Sequence, residues 1–189
     1  MVEINYKGSP FIGEKVTLRL VDHDDIDAIM EYWNTYETRR FLLHFIPYNR
    51  SQEKDWISRV ITEASDAKDY TFAIVENAGG KFLGSCSLMN IDWIYRSASA
   101  GIAIHNPENH GKGYGTEALV ALLKFGFDHL NLHRIELGVF EYNERAKHVY
   151  EKIGFTEIGR KRKYIFFEGM YYDEILMDFL SDEFLAKYP

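Results

Sequence analysis

The sequence has few of the features that mark secreted or membrane proteins. It contains one cysteine, Cys86, so no disulfide can form within the chain, and a metal site built on cysteines would need other ligands. No uncharged apolar stretch approaches the roughly 18 residues that a membrane-spanning helix needs, and the first ten residues, MVEINYKGSP, contain no apolar signal segment. We therefore expect a cytoplasmic protein with no membrane partner and no metal, in which Cys86 is a small buried hydrophobic side chain rather than a nucleophile.

Internal repeats, low-complexity tracts and linkers rich in proline, glycine or serine are also lacking. Hydrophobic residues make up 46% of the 189 residues, which is ordinary for a soluble globular protein. A chain of this length is long for one small domain and short for two. We therefore expect residues 1–189 to form a single domain.

Positive charge is in the minority, and it is distributed unevenly. Lysine and arginine number 22 against 29 aspartates and glutamates, which gives a net charge of −7 at neutral pH. Residues 105–163 hold 10 basic and 8 acidic residues and form the only net-positive segment, whereas the two flanks together hold 12 basic and 21 acidic residues. This distribution favours an anionic ligand in the middle of the chain and a cationic ligand elsewhere. It disfavours nucleic acid, which is usually bound by an extended basic face.

Hydrophobic periodicity predicts a series of strands and helices in the order β-α-α-β-β-β-α-β-α-β-β, an α/β (α+β) domain. The predicted strands cover 15–21, 70–76, 81–91, about 98–104 and 133–140, with a closing hairpin over 163–180 that turns at Glu168-Gly169. The predicted helices follow the acidic cluster at 22–25, begin near Ser51, and cover 116–130 and 144–153, the last stopping at Gly154. Residues 70–91 read as an antiparallel hairpin with a bulge at Gly84.

Three glycines alternate in HNPENHGKGYGTEAL, residues 105–119, between a predicted strand and a predicted helix. Backbone N–H groups at the start of a helix bind anions, and glycines let a ligand approach the backbone closely. Lys112 and Thr116 add a positive charge and a hydroxyl at the helix start. The alternative is a flexible connection that binds nothing.

Two common phosphate-binding loops do not fit this spacing. In a Walker A loop the Gly-Lys pair is followed by serine or threonine, but Gly113 follows Lys112 here. A dinucleotide fingerprint needs a third glycine at position 116, where the chain has Thr116. The order strand, loop, helix and strand, with Glu136 about 20 residues further on, keeps a dinucleotide-binding oxidoreductase as a weaker alternative.

The segment HGKGYG, residues 110–115, resembles the Gln/Arg-x-x-Gly-x-Gly/Ala pyrophosphate loop of the GNAT superfamily, the Gcn-five-related N-acetyltransferases. Asn143 and the run AKHVYEKIGF, residues 146–155, resemble the second cofactor-contacting element of that family. The chain is most similar to the RimJ/RimL and SpeG branch, whose closing hairpins read much like GMYYDEILM. The resemblance implies a GNAT fold, with a single mixed, mostly antiparallel sheet that splays at the cofactor cleft and is flanked by helices.

The activity implied by the resemblance is transfer of an acetyl group from acetyl-CoA to a primary amine by direct attack on the thioester. The acceptor could be a protein N-terminus, an amino-sugar antibiotic, a polyamine or a small metabolite. The alternative is a non-catalytic module that binds or senses acyl-CoA. The oligomeric state is open, and a homo-oligomer is one of the alternatives.

The resemblance also implies the residues of the cofactor site. They lie at the end of the strand before the loop, in the loop, and at Asn143: Ile102, Ala103, Ile104, His110, Gly111, Lys112, Gly113, Tyr114, Gly115, Thr116 and Asn143. His110 stands where the family usually has glutamine or arginine, and it is either a phosphate contact or a solvated turn residue. Asn143 is also a natural N-cap for the following helix.

Tyr150 is the implied general acid, with its hydroxyl directed at the cofactor sulfur. Packing in the core is the alternative, because Tyr150 shares a helix face with Ala146, Val149 and Ile153. No general base is assigned. Asp92, Glu76, Glu141 and His105 are candidates, but each is better explained as an ordinary surface charge, and a water relay is a further alternative.

The acceptor site, by resemblance, lies between the first two helices and the closing hairpin. SpeG-like enzymes carry a glutamate where this chain has Ala100, which puts a polyamine acceptor in doubt. Asp173 either orients the acceptor amine or ties down a loop backbone. The walls of the predicted site are aromatic and acidic, which suits a cationic amine unless these rings fill the core: Tyr32, Trp33, Tyr36, Phe41, Phe45, Tyr48, Tyr164, Phe166, Tyr171 and Tyr172.

Overall fold

A single seven-stranded sheet, in the order β1-β2-β3-β4-β5-β7-β6, forms the centre of the protein. The computed structural model describes residues 9–42 and 46–189. The strands are β1 (Val16–Leu20), β2 (Tyr70–Glu76), β3 (Phe82–Asp92), β4 (Ser97–Ile104), β5 (Arg134–Phe140), β6 (Thr156–Phe167) and β7 (Met170–Leu180). The helices are α1 (Ile26–Trp33), α2 (Tyr36–Arg39), α3 (Arg50–Ser65), α4 (Tyr114–Lys124), α5 (Glu144–Ile153) and α6 (Ser181–Lys187).

The sheet is mixed, and its one parallel pair divides it. β4 and β5 pair only from Ser97 to Ser99 with Arg134 to Glu136, after which the strands separate. Beyond that point β4 continues on β3 and β5 continues on β7, both in antiparallel ladders. The predicted splay is therefore confirmed. A doubly wound dinucleotide-binding domain, which needs a mostly parallel sheet, is excluded by these ladders.

Apolar side chains cover both faces of the sheet. On one face, α4, α5 and α6 bury the larger core, in which Leu119, Leu122 and Phe184 are at most 1% exposed. On the other face, α1 and α3 bury a smaller core around Ile29 and Ile57. Cys86 lies in the larger core as predicted, and burial raises the pKa of its thiol.

The predicted hairpin of β2 and β3 is confirmed, including its bulge. The pairing shifts after Ile74, which faces Gly84, to Val75, which faces Phe82. A Cβ atom at Gly84 would lie 2.0 Å from the carbonyl oxygen of Ala103 on β4. Glycine is therefore required at Gly84 for close approach of two strands.

Several elements differ from the sequence prediction. The short helix α2 and the C-terminal helix α6 were not predicted, and β6 begins seven residues before the predicted strand. Helix α4 begins at Tyr114, not at residue 116, and continues into a π-helical turn over Phe125–His129. Among the described residues, none of the helices is long and apolar enough to cross a bilayer.

Candidate active site

The glycine loop forms an anion-binding geometry at the start of α4. Gly111 and Gly113 have φ angles of +74° and +88°, a region that residues with a side chain rarely adopt. Gly113 is the N-cap of α4, and the first bond of the helix runs from the Glu117 N–H to its carbonyl. Within the described part of the chain, no group accepts a hydrogen bond from the six N–H groups of residues 111–116. These donors lie at the positive end of the helix dipole and fit a diphosphate.

Two lysines surround this loop. Lys112 is exposed, with its Nζ 3.4 Å from Asn109 Oδ1. Lys15, at the entry to β1, donates from Nζ to the carbonyl of Lys112 at 3.0 Å, and a Cβ atom on Gly113 would lie 3.2 Å from the same Nζ. The position of Lys15 beside the loop was not predicted from the sequence, because 97 residues separate Lys15 from Lys112. Both cations complement the phosphates of a nucleotide cofactor.

Glu117 on α4 fixes the position of Lys15. Its Oε1 accepts hydrogen bonds from the backbone N–H groups of Lys15 at 2.8 Å and Val16 at 3.1 Å. A Cβ atom on Gly13 would lie 1.9 Å from that oxygen, so glycine is needed where the carboxylate crosses the chain. This contact joins the start of β1 to the first turn of α4.

The last two residues of the candidate loop lie within α4 and not before it, and their contact with the cofactor stays a prediction. Because α4 begins at Tyr114, Gly115 and Thr116 lie within its first turn. A Cβ atom on Gly115 would meet Ile104 Cγ1 at 3.5 Å, an ordinary contact, so close packing does not require glycine there. The Tyr114 hydroxyl donates to Glu76 Oε1, which leaves its backbone N–H as the group available to a ligand.

Alternation along β4 separates the three predicted strand residues. The carbonyl of Ala103 is directed at Gly84 on β3, and the next residue, His105, donates its N–H to Leu83 on the same side. Because successive residues of a strand point their backbone groups in opposite directions, those of Ile102 and Ile104 face the gap towards β5. The structure therefore directs the backbone N–H and C=O groups of Ala103 towards β3 and away from the gap, while the contact of Ala103 with the cofactor stays a prediction.

His110 is held by two contacts at the mouth of the gap. Its Nε2 lies 2.9 Å from the carbonyl oxygen of Ile104, and its Nδ1 lies 2.5 Å from an Arg145 nitrogen. Nε2 must donate to the carbonyl, so Nδ1 is the acceptor and the ring is neutral. Burial and the Arg145 charge lower the His110 pKa, although the Ile104 bond opposes this. His110 is not a free turn residue, and its phosphate contact stays a prediction.

Tyr150 lies in the larger core, on the side of α5 that faces the sheet. It is 9% exposed, and its ring packs 5.9 Å from that of Phe155. Burial raises the pKa of its hydroxyl to about 12, against a smaller lowering by Arg145. Within the described residues the hydroxyl makes no hydrogen bond. Core packing is thus confirmed, and a protonated, uncommitted donor is also what a general acid needs.

Asn143 caps α5 as predicted. Its Oδ1 accepts from the Ala146 N–H at 3.3 Å, and α5 stops at Gly154, which has a φ of +131°. The adjacent residue, Tyr142, was not singled out in the sequence. Its hydroxyl donates to the carbonyl of Arg40 at 2.6 Å, and burial raises its pKa to about 12.

A cleft of about 290 Å³ lies between α2 and the β6–β7 hairpin, where the acceptor site was predicted. We call it the α2 cleft; its lining residues are Tyr36, Arg39, Arg40, Leu42, Tyr142, Ile165, Phe166, Phe167 and Glu168. Of the predicted aromatic wall, Tyr36 and Phe166 line it, while Phe41 and Tyr172 pack against Tyr142 behind it. Phe45 lies outside the described residues.

The other predicted wall residues lie elsewhere. Tyr32 accepts a hydrogen bond from Asn106 at 3.0 Å, Trp33 packs on His105, and Tyr48 packs under Arg39. Tyr164 contacts Lys161, and Tyr171 packs on Phe166 at the exposed hairpin. The expected acidic character is also wrong for the cleft lining, in which Glu168 is accompanied by two arginines.

The candidate bases are largely engaged in structural contacts. Glu76 accepts from Tyr114, Glu141 accepts from the Asp173 N–H, and Asp92 caps the turn at the far end of β4. His105 is 2% exposed, and burial lowers its pKa to about 4, so it is neutral.

Asp173 and Ala100 also have structural surroundings. Asp173 Oδ1 accepts from the Lys163 N–H at 2.8 Å, which confirms that Asp173 ties down a backbone. Ala100 is buried in the larger core. Among the described residues, no three His, Cys, Asp or Glu side chains could hold a metal ion.

Comparison with known proteins agrees with this geometry. Residues 15–156 match the family described as Acetyltransferase (GNAT) domain. The chain belongs to the GNAT acetyltransferase family. It is 31% identical to the spermidine N(1)-acetyltransferase of Vibrio cholerae over 178 residues, which covers 93% of this chain and 99% of that protein.

Solved structures give the same result. The V. cholerae spermidine N-acetyltransferase in complex with CoA and spermine is similar with a TM-score of 0.83 and 27% identity, over 92% of this chain and 99% of that one. A dodecameric structure of the V. cholerae enzyme has a TM-score of 0.78 and 28% identity, over 94% and 100%. These matches favour an enzyme over a non-catalytic module. This GNAT protein is an acetyl-CoA-dependent N-acetyltransferase.

Proposed function

We propose that this GNAT protein acetylates a primary amine that enters through the α2 cleft, with acetyl-CoA bound in the gap between β4 and β5. The observation that carries the proposal is the run of six N–H donors at residues 111–116 that have no acceptor among the described residues. They fit the diphosphate of coenzyme A, with Lys15 and Lys112 as neighbouring cations. The backbone groups of Ile102 and Ile104 would bond the amides of the pantetheine arm.

Acetyl-CoA supplies the acetyl group as an activated thioester. The chain must hold the thioester carbonyl, accept a neutral amine, and provide a proton for the sulfur that leaves. Tyr150 is the proposed proton donor, because burial keeps its hydroxyl protonated throughout the neutral range. Arg145 would also stabilise the negative charge that Tyr150 acquires, since it already lowers the hydroxyl pKa.

The proposal for the general base rests on ruling out the candidate side chains. The nearby carboxylates are committed to backbone and hydroxyl donors, and His105 is a neutral buried ring. We therefore propose that water carries the proton from the acceptor ammonium group out of the α2 cleft. Glu168 is the acidic side chain in the lining of that cleft.

The proposed acceptor is cationic at its amine end, as an alkyl primary amine is at neutral pH. The spermidine activity of the V. cholerae relative makes polyamines one candidate class. The dodecamer of that relative supports a homo-oligomer for this chain as well. Cytoplasmic location and the absence of a nucleic-acid partner stay predictions from the sequence.

A thiol-release screen tests the proposal. Acetyl-CoA is incubated with the protein and a panel of primary amines, polyamines, amino acids, amino sugars and N-terminal peptides, and released CoA is measured with a thiol reagent. We expect at least one amine to give release far above the rate without acceptor. No release with any amine, from protein that binds acetyl-CoA in equilibrium dialysis, would contradict the proposed function.

A further inference from the structure

Arg40 is a cation in the α2 cleft for which the described residues provide no hydrogen-bond acceptor. Its Nε is buried without a hydrogen-bond partner, and its guanidinium forms no ion pair or hydrogen bond with any described side chain. The Arg40 backbone is fixed, because its N–H donates to Tyr36 at 3.0 Å and its carbonyl accepts from the Tyr142 hydroxyl at 2.6 Å. The protein therefore positions this side chain without neutralising it.

Three aromatic rings lie around the guanidinium group of Arg40. Its central carbon lies 5.7 Å from the Tyr36 ring, 5.1 Å from the Phe41 ring and 5.6 Å from the Phe167 ring. The rings stabilise the charge but accept no N–H hydrogen bonds in the guanidinium plane. The aromatic walls that the sequence suggested for a cationic ligand thus already hold a cation of the protein.

The other charges of the cleft have partners. Arg39 donates to Asn34 Oδ1 at 2.8 Å, lies 4.7 Å from the Tyr48 ring, and interacts with the buried carboxylate of Glu53. Glu168 accepts a hydrogen bond from the Tyr36 hydroxyl. Arg40 and Glu168 line the same cleft without forming an ion pair with each other. One guanidinium is left to receive one negative charge.

We propose that Arg40 binds a carboxylate of the acceptor, so that the substrate is an amine that also carries a carboxylate. A planar guanidinium matches a carboxylate in two parallel hydrogen bonds, and the desolvated surroundings strengthen the pair. A single unpaired cation complements a monoanion. This inference rests on the proposed function, and it distinguishes this chain from the polyamine chemistry of its relatives.

The cleft volume agrees with a small acceptor. About 290 Å³ is near the lower end for ligand pockets, and holds an unbranched amino acid more readily than a folded peptide. A polyamine would bring a second ammonium group towards Arg40, where like charges repel. An amino carboxylate replaces that repulsion with an ion pair.

The experiment compares acceptors that differ only at the end remote from the amine. Aminocaproate, n-hexylamine and 1,5-diaminopentane share a five-methylene stem and end in an anion, a methyl group and a cation. Shorter members of each series and spermidine complete the panel. We expect kcat/KM of the wild-type protein to be about tenfold or more higher for the carboxylate member than for its neutral partner. The diamine should be the poorest acceptor of each set.

Variants connect the preference to Arg40. In R40Q the ratio of kcat/KM for aminocaproate to kcat/KM for hexylamine should fall to about one, and R40K, which keeps the charge but not the paired donors, should retain part of the preference. The matched control is R59Q, on an exposed arginine of α3 that pairs with Glu63. R59Q should keep the full preference.

The possible failures are distinguishable. Equal rates for the three end groups, preference for the diamine or spermidine, or an unchanged preference in R40Q would each overturn the inference while leaving the acetyltransferase proposal intact. If no amine is turned over, calorimetric titration of the CoA-loaded protein with aminocaproate and hexylamine still tests the role of Arg40. Aminocaproate should bind more tightly than hexylamine, and R40Q should abolish this difference. Equal binding of the two amines would overturn the inference.

Discussion

Single residues decide whether the loop before α4 can bind a diphosphate. Gly113 must adopt a φ of +88° as the N-cap, while Gly115, two residues later, has helical geometry and space for a methyl group. The two glycines look equivalent in the sequence, but only one of them is in the left-handed region. They therefore form a matched pair for mutation.

We expect Gly113→Val to weaken acetyl-CoA binding by about tenfold or more, because the left-handed conformation costs a residue with a side chain about 1–2 kcal/mol, and a β-branched one more. The loop would relax and its N–H groups would diverge. Equilibrium dialysis with acetyl-CoA measures the change. Gly115→Ala is the control and should bind nearly as well as the wild type; unchanged binding in Gly113→Val would refute the assigned role of the loop.

Tyr150 makes a second prediction at this scale. We expect Tyr150→Phe to lower kcat by about 10²- to 10⁴-fold, the usual contribution of a general acid, with little change in acetyl-CoA affinity. Phenylalanine keeps the ring packing on Phe155 and removes only the hydroxyl. The control is Tyr188→Phe, which loses a hydroxyl bonded to the Ile153 carbonyl at the C-terminal end of α5. Wild-type turnover in Tyr150→Phe would show that the proton comes from elsewhere.

At the scale of elements, the contact between Glu117 and the start of β1 links the cofactor loop to the sheet edge. Replacing Glu117 by alanine leaves the N–H groups of Lys15 and Val16 without an acceptor, which we expect to cost about 1–3 kcal/mol in the free energy of unfolding. Urea unfolding measures the loss. Acetyl-CoA affinity should also fall, because Lys15 is no longer held beside Gly113.

Two further variants separate the effect of this contact on stability from the effect of removing a negative charge. Glu117→Gln keeps an acceptor oxygen and should lose less stability than the alanine variant. Glu151→Ala removes an exposed carboxylate that pairs with Lys147 on α5, and should change stability by about 1 kcal/mol or less. Equal losses for Glu117→Ala and Glu151→Ala would mean that the link to β1 contributes nothing specific.

Elements with a local signal were predicted well. The β2–β3 hairpin has clear apolar runs around a glycine turn, and α5 has its cap and its stop, Asn143 and Gly154, in the sequence. The first half of β6, TEIGRKR, has no apolar alternation, because the edge strand exposes most of its side chains there. Its pairing with β7 is therefore invisible to a periodicity argument.

Only the part of the candidate site that lies in short sequence motifs was predicted from the sequence. The loop at residues 110–116 and Tyr150 lie in short motifs, whereas the α2 cleft is assembled from distant segments. Tyr142 meets the Arg40 carbonyl across 102 residues of sequence, and Lys15 meets Lys112 across 97. Such contacts arise from packing, which a single sequence does not display.

At the scale of the whole molecule, the divided sheet joins two halves that present different chemistry. β4 and the loop before α4 present backbone donors and lysines, while β5, α2 and the β6–β7 hairpin present rings and Arg40. The gap between β4 and β5 is where the two halves separate. Acetyl-CoA, which has an anionic diphosphate, and the acceptor amine would thus approach each other from opposite halves of the sheet.

His105, which directly follows β4, couples the stability of the whole fold to pH. Its ring lies between Trp33 and Phe82, with centroids at 5.0 and 5.4 Å, beside a small cavity of about 130 Å³ that Glu31 and Lys81 also line. Neither ring nitrogen has a hydrogen-bond partner among the described residues, and burial lowers the His105 pKa to about 4 from the ordinary 6.5. The folded protein therefore keeps His105 neutral where the unfolded chain protonates it.

The sign of the effect follows from these two pKa values. Above about pH 6.5 the ring is neutral in both the folded and the unfolded state, and the stability is fully present. As the pH falls towards 4, only the unfolded chain takes up the proton. The free energy of unfolding therefore falls by about 1.4 kcal/mol per pH unit in this range. We expect the free energy of unfolding, measured with urea, to fall by about 2 kcal/mol between pH 6.5 and 5 through His105. His110, whose pKa is also lowered by burial, adds to the loss in the same direction.

A substitution isolates the contribution of His105. His105→Leu fills a similar volume without a titratable group, so its unfolding free energy should change less between these pH values than that of the wild type, by about 2 kcal/mol. His148→Gln, which removes an exposed histidine of α5, should keep the full wild-type dependence. If His105→Leu retained the wild-type slope, another group would have to be the one whose protonation destabilises the fold.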